Sequence, residues 1–467
     1  MTRPISQTTD SIPRLILRIG IPSSIGMLFN TMYNSIDTWC AGLLGTNALA
    51  AISLSFPLFF VMFAVGNGLA QGTVALLANA LGAGRPDDAR RVFAQSVTLS
   101  AAAGIALSIT GLLCAPWLFR KLGATGDYYR AAVVYMDIML AGGLFFIVPM
   151  TLNTALSAVG ETRVYRNLLI GGCIANGALN PVLMWGWLGL PALGVAGIAL
   201  ATLLIQLGGG IWLWSHVARG ELGRALEPRM FVPDAATVRR IAGQAMPATL
   251  NMLTIALGIF VFTWFTQRFG RDAVAASGIA TRIEQAVLMP VIGLATAVLG
   301  ITGQNHGAGL PHRVRETWLT SIAIGVALML PGGLLLWALR HAAMRIFTND
   351  PAVIALGGGY LGVACWTLAA YPILFATVFL MQGLKRPAYG LWIGLYRQAL
   401  APLLVAPALA FGLGWGLRGI WWGVCMVNWS AALFALWWGW RAVRTGKACA
   451  KFAAGRAGAC PLAGQTL

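Results

Sequence analysis

The chain has 467 residues, of which 58% are hydrophobic and only 10% charged, with a mean hydropathy of +0.75. That composition excludes a soluble globular domain. The net charge of +18 suggests nucleic acid at first sight, but the placement of the charges along the chain argues for another role.

The first twelve residues are polar, with no short apolar stretch and small-residue cleavage site ahead of the first long apolar run. The chain is therefore expected to enter a membrane through its own first helix. Twelve apolar runs, each long enough to span a bilayer, then follow. The first half holds 15–43, 49–81, 92–119, 131–159, 167–187 and 195–217. The second holds 241–265, 275–302, 318–339, 355–382, 388–413 and 421–440.

Asp37 stands in the first run, in Tyr33-Asn34-Ser35-Ile36-Asp37-Thr38. Helical spacing puts Asn30, Asn34 and Asp37 on one face. A carboxylate at the bilayer centre is unfavourable by roughly 2.5–3.5 kcal/mol on insertion scales, so it needs polar neighbours or a water-filled cavity. It is either part of a polar stripe packed on another helix or an ion or substrate site, and the rest of the chain favours the second. Glu284, in Thr281-Arg282-Ile283-Glu284-Gln285, is the other intramembrane acid of interest. Arg282 lies two residues away and does not share its face. A structural polar network and a coupling role both remain open for Glu284. Arg397 reads as a charge partner or as a side chain reaching the interface. Pro57, Pro149, Pro181, Pro290 and Pro372 fall within runs and are expected to bend them.

Arg85, Arg90, Arg91, Arg163, Arg219, Arg239, Lys385, Arg386 and most other basic residues fall on loops facing one side. The opposite side receives Arg120, Lys121, Arg130, Arg268, Arg271, Arg340, Arg345 and Arg418. This positive-inside asymmetry puts both termini in the cytoplasm. The basic charge orients the chain and touches anionic lipid; it needs no nucleic-acid partner. The seven cysteines are scattered and form neither a disulfide framework nor a metal-ligand pattern. His306 and His312 lack partners for a zinc site and read as surface residues. No phosphate loop, metal cluster or nucleophile–base constellation points to an enzyme.

The two halves repeat. Pro22 matches Pro247, Gly45-Thr46-Asn47-Ala48-Leu49 matches Gly270-Arg271-Asp272-Ala273-Val274, Gly68 matches Gly293 and Gly82-Ala83-Gly84 matches Gly307-Ala308-Gly309, all at an offset of 225. Six spans per half make the repeat parallel, about an axis along the membrane normal. The expected organisation is an N-lobe at 1–217, a cytoplasmic linker at 218–237, a C-lobe at 238–440 and a basic, Gly/Ala-rich, disordered tail at 441–467.

Taken in order, the strings Tyr33 to Thr38, Ala41-Gly42-Leu43-Leu44-Gly45, Leu81-Gly82-Ala83-Gly84, Gly189-Leu190-Pro191, Gly303-Gln304-Asn305-His306-Gly307 and Ile346-Phe347-Thr348-Asn349-Asp350 carry a resemblance. The chain resembles the multidrug and toxic compound extrusion (MATE) family of the multidrug/oligosaccharidyl-lipid/polysaccharide flippase superfamily, from about Pro22 to Trp440. The resemblance implies an all-α polytopic membrane protein of twelve helices in two six-helix lobes arranged as a V. It implies export of organic compounds, cationic and lipophilic, against inward proton or sodium flow. The family's helix-one aspartate maps onto Asp37. An Asn-x-x-x-Asp pair in helix five maps onto Asn176 and Asn180, so the second acid is an amide here. The sodium-coupled branch places acids in helices seven and ten; here helix seven has none, and the helix-ten region offers Tyr371 and Pro372. Proton coupling is therefore expected, with Tyr33, Asn34, Asn176 and Asn180 around Asp37 and Glu284 as the rival acid. A sodium-coupled antiporter and a lipid-linked or polysaccharide precursor flippase are the alternatives. Further expectations are a bacterial inner-membrane location, a monomer, small-molecule substrates and lipid as partners, and no cofactor or metal beyond the coupling ion.

Overall fold

Apolar runs in lipid must satisfy their backbone hydrogen bonds internally, which helices do. In the computed structural model, which describes residues 6–455 and side chains through 444, the regular elements are helical and no strand occurs among the described residues. The chain runs α1 (Ile12–Leu44), α2 (Thr46–Gly82), α3 (Pro86–Lys121), α4 (Gly126–Ala141), α5 (Gly143–Ala158), α6 (Arg163–Trp185), α7 (Val195–Arg219) and a one-turn α8 (Glu221–Arg224). It continues with α9 (Ala235–Thr266), α10 (Arg271–Gly307), α11 (Pro311–Arg345), α12 (Pro351–Thr367), α13 (Tyr371–Gly383), α14 (Ala388–Leu395), α15 (Ala401–Pro407) and α16 (Gly416–Gly455). Ten helical stretches are long and apolar enough to cross a membrane, and two bent pairs, taken as one span each, bring the number to twelve. These coincide with the twelve apolar runs. The last helix continues past the expected limit at 440, and the tail at 456–467 lies outside the described residues.

The runs at 131–159 and 355–382 are broken rather than continuous. α4 and α5 bend by 45°, and α12 and α13 by 52°. Of the five prolines expected to bend their runs, one adjoins these breaks. Pro57, Pro149, Pro181 and Pro290 all lie inside helices, and only Pro372, in the first turn of α13, adjoins a break. At the first break the pair Gly142-Gly143 interrupts the helix. Ser108 of α3 donates to the carbonyl of Leu140 at 2.5 Å, occupying an acceptor at the end of α4. A Cβ on Gly104 would come within 2.9 Å of Leu144 Cα, so α3 and α5 meet backbone to backbone.

Two compact units form. One holds the chain to Ser24, Ala78–Gly84 and the chain from Leu250; the other holds Ile25–Leu77 and Arg85–Thr249. The repeat divides the chain by sequence, and packing then exchanges the beginnings of α1 and α9 just after Pro22 and Pro247. The matched glycines explain how. On α10, Gly293 lies so close to Ser24 of α1 that a Cβ would sit 2.5 Å from its backbone nitrogen, and a Cβ on Gly68 of α2 would collide with Thr249 of α9. Between lipid-embedded helices there is no hydrophobic driving force, so such close approaches through small residues hold them together. Around the first contact Ile12, Leu15, Ile16 and Ile19 pack on Leu294, Ala297 and Ile301. The other unit centres on Met62, Phe119, Met136, Phe146, Met184 and Ile198.

Between α7 and α9 the polar segment is tied to α3. The carbonyl of Phe231 accepts from Thr98 Oγ1 at 2.9 Å, and the Asp234 amide donates to Gln95 Oε1 at 3.1 Å. Asp234 also accepts from the Thr237 amide and hydroxyl at 3.0 and 2.8 Å, which holds its carboxyl below the usual range and caps the start of α9.

Candidate functional site

Asp37 sits 7% exposed on α1 and is met by two faces from distant sequence. Asn176 and Asn180 lie one turn apart on α6 and are fully buried. Both amides donate to Asp37 Oδ1 at 2.8 Å, and Asn180 Nδ2 also lies 3.3 Å from Asn176 Oδ1. The hydroxyl of Thr202, on α7, donates to Asp37 Oδ2 at 3.3 Å. All three donors are neutral, and among the described residues no Lys or Arg forms an ion pair with Asp37. The buried Tyr33 hydroxyl and Asn180 Oδ1 make no hydrogen bond among the described residues. The cluster can therefore take up one small polar guest or a proton without breaking an ion pair.

Asn34 does not join this cluster. It is exposed, and its amide donates to the Asn30 carbonyl one turn back at 2.9 Å. At about 100° per residue, Tyr33 and Asn34 flank Asp37 on opposite sides, roughly 40° and 60° away. The polar face is real, but α6 and α7 cover its Tyr33 side. Thr202 was not among the expected residues, and the signal for it is modest: it is the lone hydroxyl in the otherwise apolar stretch 195–205.

Glu284 belongs to the other unit and is also buried, at 6% exposed. Tyr360 of α12 donates to Oε2 at 2.7 Å and Tyr371 of α13 to Oε1 at 3.0 Å. These two tyrosines stand on either side of the break between α12 and α13, so the bend lets one carboxylate reach both. Arg397 lies over the Tyr371 ring, 5.6 Å from its centroid, within a π-helical turn at Tyr396–Leu400. It thus stacks within the unit near Glu284's donors, and Arg282 is exposed. A water-sized cavity of about 10 Å³, lined by Glu284, Tyr360, Thr367 and Trp421, adjoins the carboxylate. The repeat offset could have found Tyr360: it is the counterpart of Tyr135, buried in the Asp37 unit.

Comparison with known proteins agrees with this architecture. The MatE family model matches residues 22–182 and 247–407, two segments set apart by the repeat offset. Among curated relatives, the chain is 28% identical over 410 residues to the "FAD transporter" of Shewanella oneidensis, covering 86% of this chain and 88% of that protein. It is also 28% identical to the "Multidrug resistance protein NorM" of Burkholderia vietnamiensis, covering 90% and 92%. Among solved structures, it resembles the outward-facing conformation of a multidrug resistance MATE family transporter of the MOP superfamily, with a TM-score of 0.90 at 26% identity over 96% of this chain and 99% of that one. A MOP superfamily transporter from Pyrococcus furiosus gives 0.88 at 25% identity, with the same shares covered. With both halves matched and the fold shared along nearly its whole length, the chain belongs to the MatE family and is a transporter, not an enzyme.

Proposed function

We propose that the protein is a secondary-active antiporter that exports organic compounds in exchange for protons, with Asp37 as the coupling group. The observation that carries this reading is a buried carboxylate held by three neutral donors and no cation. Such a group gains or loses a proton in response to its hydration and neighbours, without an ion pair to break. The multidrug relatives support drug efflux, for which we take lipophilic cations as the first substrates to test, and the relative named an FAD transporter adds flavin adenine dinucleotide to them. Both termini are proposed to face the cytoplasm, from the Lys/Arg asymmetry, with the chain in the bacterial inner membrane.

A second reading has its own support. Asp37, Thr202, Tyr33 and Asn180 gather oxygen atoms, two of them without hydrogen bonds, and such a set also suits a sodium ion. Proteoliposomes given a pH gradient and a sodium gradient separately distinguish the two, with a cationic dye and FAD as substrates. A pH gradient alone should drive uptake. Transport driven only by sodium would replace the proton reading, and transport of neither compound would remove the substrate classes named.

A further inference from the structure

A second cavity, which shares Trp421 with the small one beside Glu284, opens between the end of α11, the middle of α12 and the start of α16. Its volume is about 290 Å³, far above the roughly 10–15 Å³ that one water needs. Arg340 and Trp337 of α11 and Arg418, Trp421 and Trp422 of α16 line it, with Gly358, Gly359 and Gly362 of α12 as its floor. The glycines keep that floor low: a Cβ on Gly359 would stand 2.9 Å from the Trp421 ring, whereas one on Gly362 would meet Arg340 Cδ at an ordinary 3.8 Å.

The lining side chains are rich in donors and contain no acceptor. Two arginines and three tryptophans, which carry donors only, line a site without a carboxylate, amide or hydroxyl side chain. Neither arginine forms an ion pair among the described residues. Arg340 is already positioned, donating to the Trp337 carbonyl at 2.6 Å and stacking 4.7 Å from its ring centroid. Trp421 is 6% exposed, and its indole N–H has no partner among the described residues. Arg418 lies in the first turn of α16, where the helix dipole is already positive. A cation there is unfavourable by itself and favourable only with an anion beside it.

We propose that this cavity binds a phosphate oxyanion carried on an apolar body, the headgroup of an anionic phospholipid. The guanidinium forks match phosphate geometry, and the exposed faces of Trp337 and Trp422 suit the glycerol and upper acyl region. Tryptophans also concentrate at the level of lipid headgroups. The site is independent of the transport reading, because neither Asp37 nor Glu284 takes part.

The test uses the purified full chain in detergent, titrated with phosphatidylglycerol or phosphatidylcholine and read by native mass spectrometry. Phosphatidylglycerol should bind more tightly. Arg340→Ala and Arg418→Ala should each weaken it about fivefold, the scale of one basic residue near an anionic surface. Gly362→Leu should weaken it with both arginines intact, by filling the cavity. Thermal melting checks that each variant is folded, and Gly362→Leu keeps the test open if an arginine variant is not. Inorganic phosphate should fail to displace the lipid. Displacement by millimolar phosphate in the parent, absent in the arginine variants, would keep the anion site and overturn the lipid as its occupant. Equal binding of both lipids, or unchanged phosphatidylglycerol affinity in all three variants, would overturn the proposal.

Discussion

Asp37 and Glu284 face the same physical difficulty, a carboxylate buried in an apolar helix bundle, and are held in chemically different ways. Two amides and a hydroxyl surround Asp37, whereas Glu284 lies between two phenols, one with a guanidinium stacked over its ring. Amides and an aliphatic hydroxyl donate and do not titrate, so none of the three donors to Asp37 competes with it for a proton. Buffered by two tyrosines and a nearby arginine, the second cluster is a closed polar network. The difference teaches that burial alone does not mark a coupling site; the identity of the donors does.

Substituting Asp37 should break the comparison most sharply. Asp37→Asn keeps an acceptor for both asparagine amides, and its new amide can donate to the Thr202 hydroxyl, so the protein should fold and reach the membrane. Its pH-driven dye transport should fall to that of empty liposomes. Normal transport would remove Asp37 from the coupling role.

Next in size come the donors. Asn176→Ala and Asn180→Ala each remove a hydrogen bond to a carboxylate, worth about 1.5–3 kcal/mol. Each should reduce efflux roughly tenfold while leaving a measurable residue. If both variants transport like the parent protein, the amides do not tune Asp37.

Tyr360→Phe tests the other cluster and should show in stability rather than transport. It leaves Glu284 Oε2 buried without its 2.7 Å donor, a loss of about 1–3 kcal/mol. Melting should fall by several degrees, while Glu284→Gln, which can still meet both phenols, should melt near the parent and retain efflux. Loss of efflux in Glu284→Gln equal to that in Asp37→Asn would mean that the two acids act together.

The smallest effect is expected at Asn34. Its side chain is exposed and bonds only to its own helix, so Asn34→Ala should change stability by less than about 0.5 kcal/mol and leave dye efflux unchanged. A large transport defect there would show that the exposed side of α1 touches substrate.

Asp37 was legible in the sequence as a carboxylate within an apolar run, and its two asparagines through the family resemblance, which maps a helix-five pair onto Asn176 and Asn180. Gly68 and Gly293 were legible through the repeat, and the structure gives them their purpose in admitting α9 and α1. What spacing could not supply was the rotation of α1: a helical wheel groups Asn34 with Asp37 but does not say which flank is covered. The break at Gly142 was hidden for a related reason. A proline advertises itself within its own segment, whereas Ser108 capturing the Leu140 carbonyl is an event between two helices. Tyr360 and Tyr371 reach one carboxylate only because their span bends, so a straight reading of 355–382 cannot bring them together.

The exchanged start of α1 has a consequence for biogenesis. Ile12, Leu15 and Ile16 are among the first residues made, yet they rest on Leu294, Ala297 and Ile301, nearly the whole of nine helices downstream. At about 5–20 residues per second, the ribosome needs roughly fifteen to sixty seconds to deliver those partners. Throughout that interval the leading half-helix is an unfinished surface within the bilayer. Each unit is thus completed only by chain from the opposite half, so separately synthesised halves should mature only when made together in the same membrane.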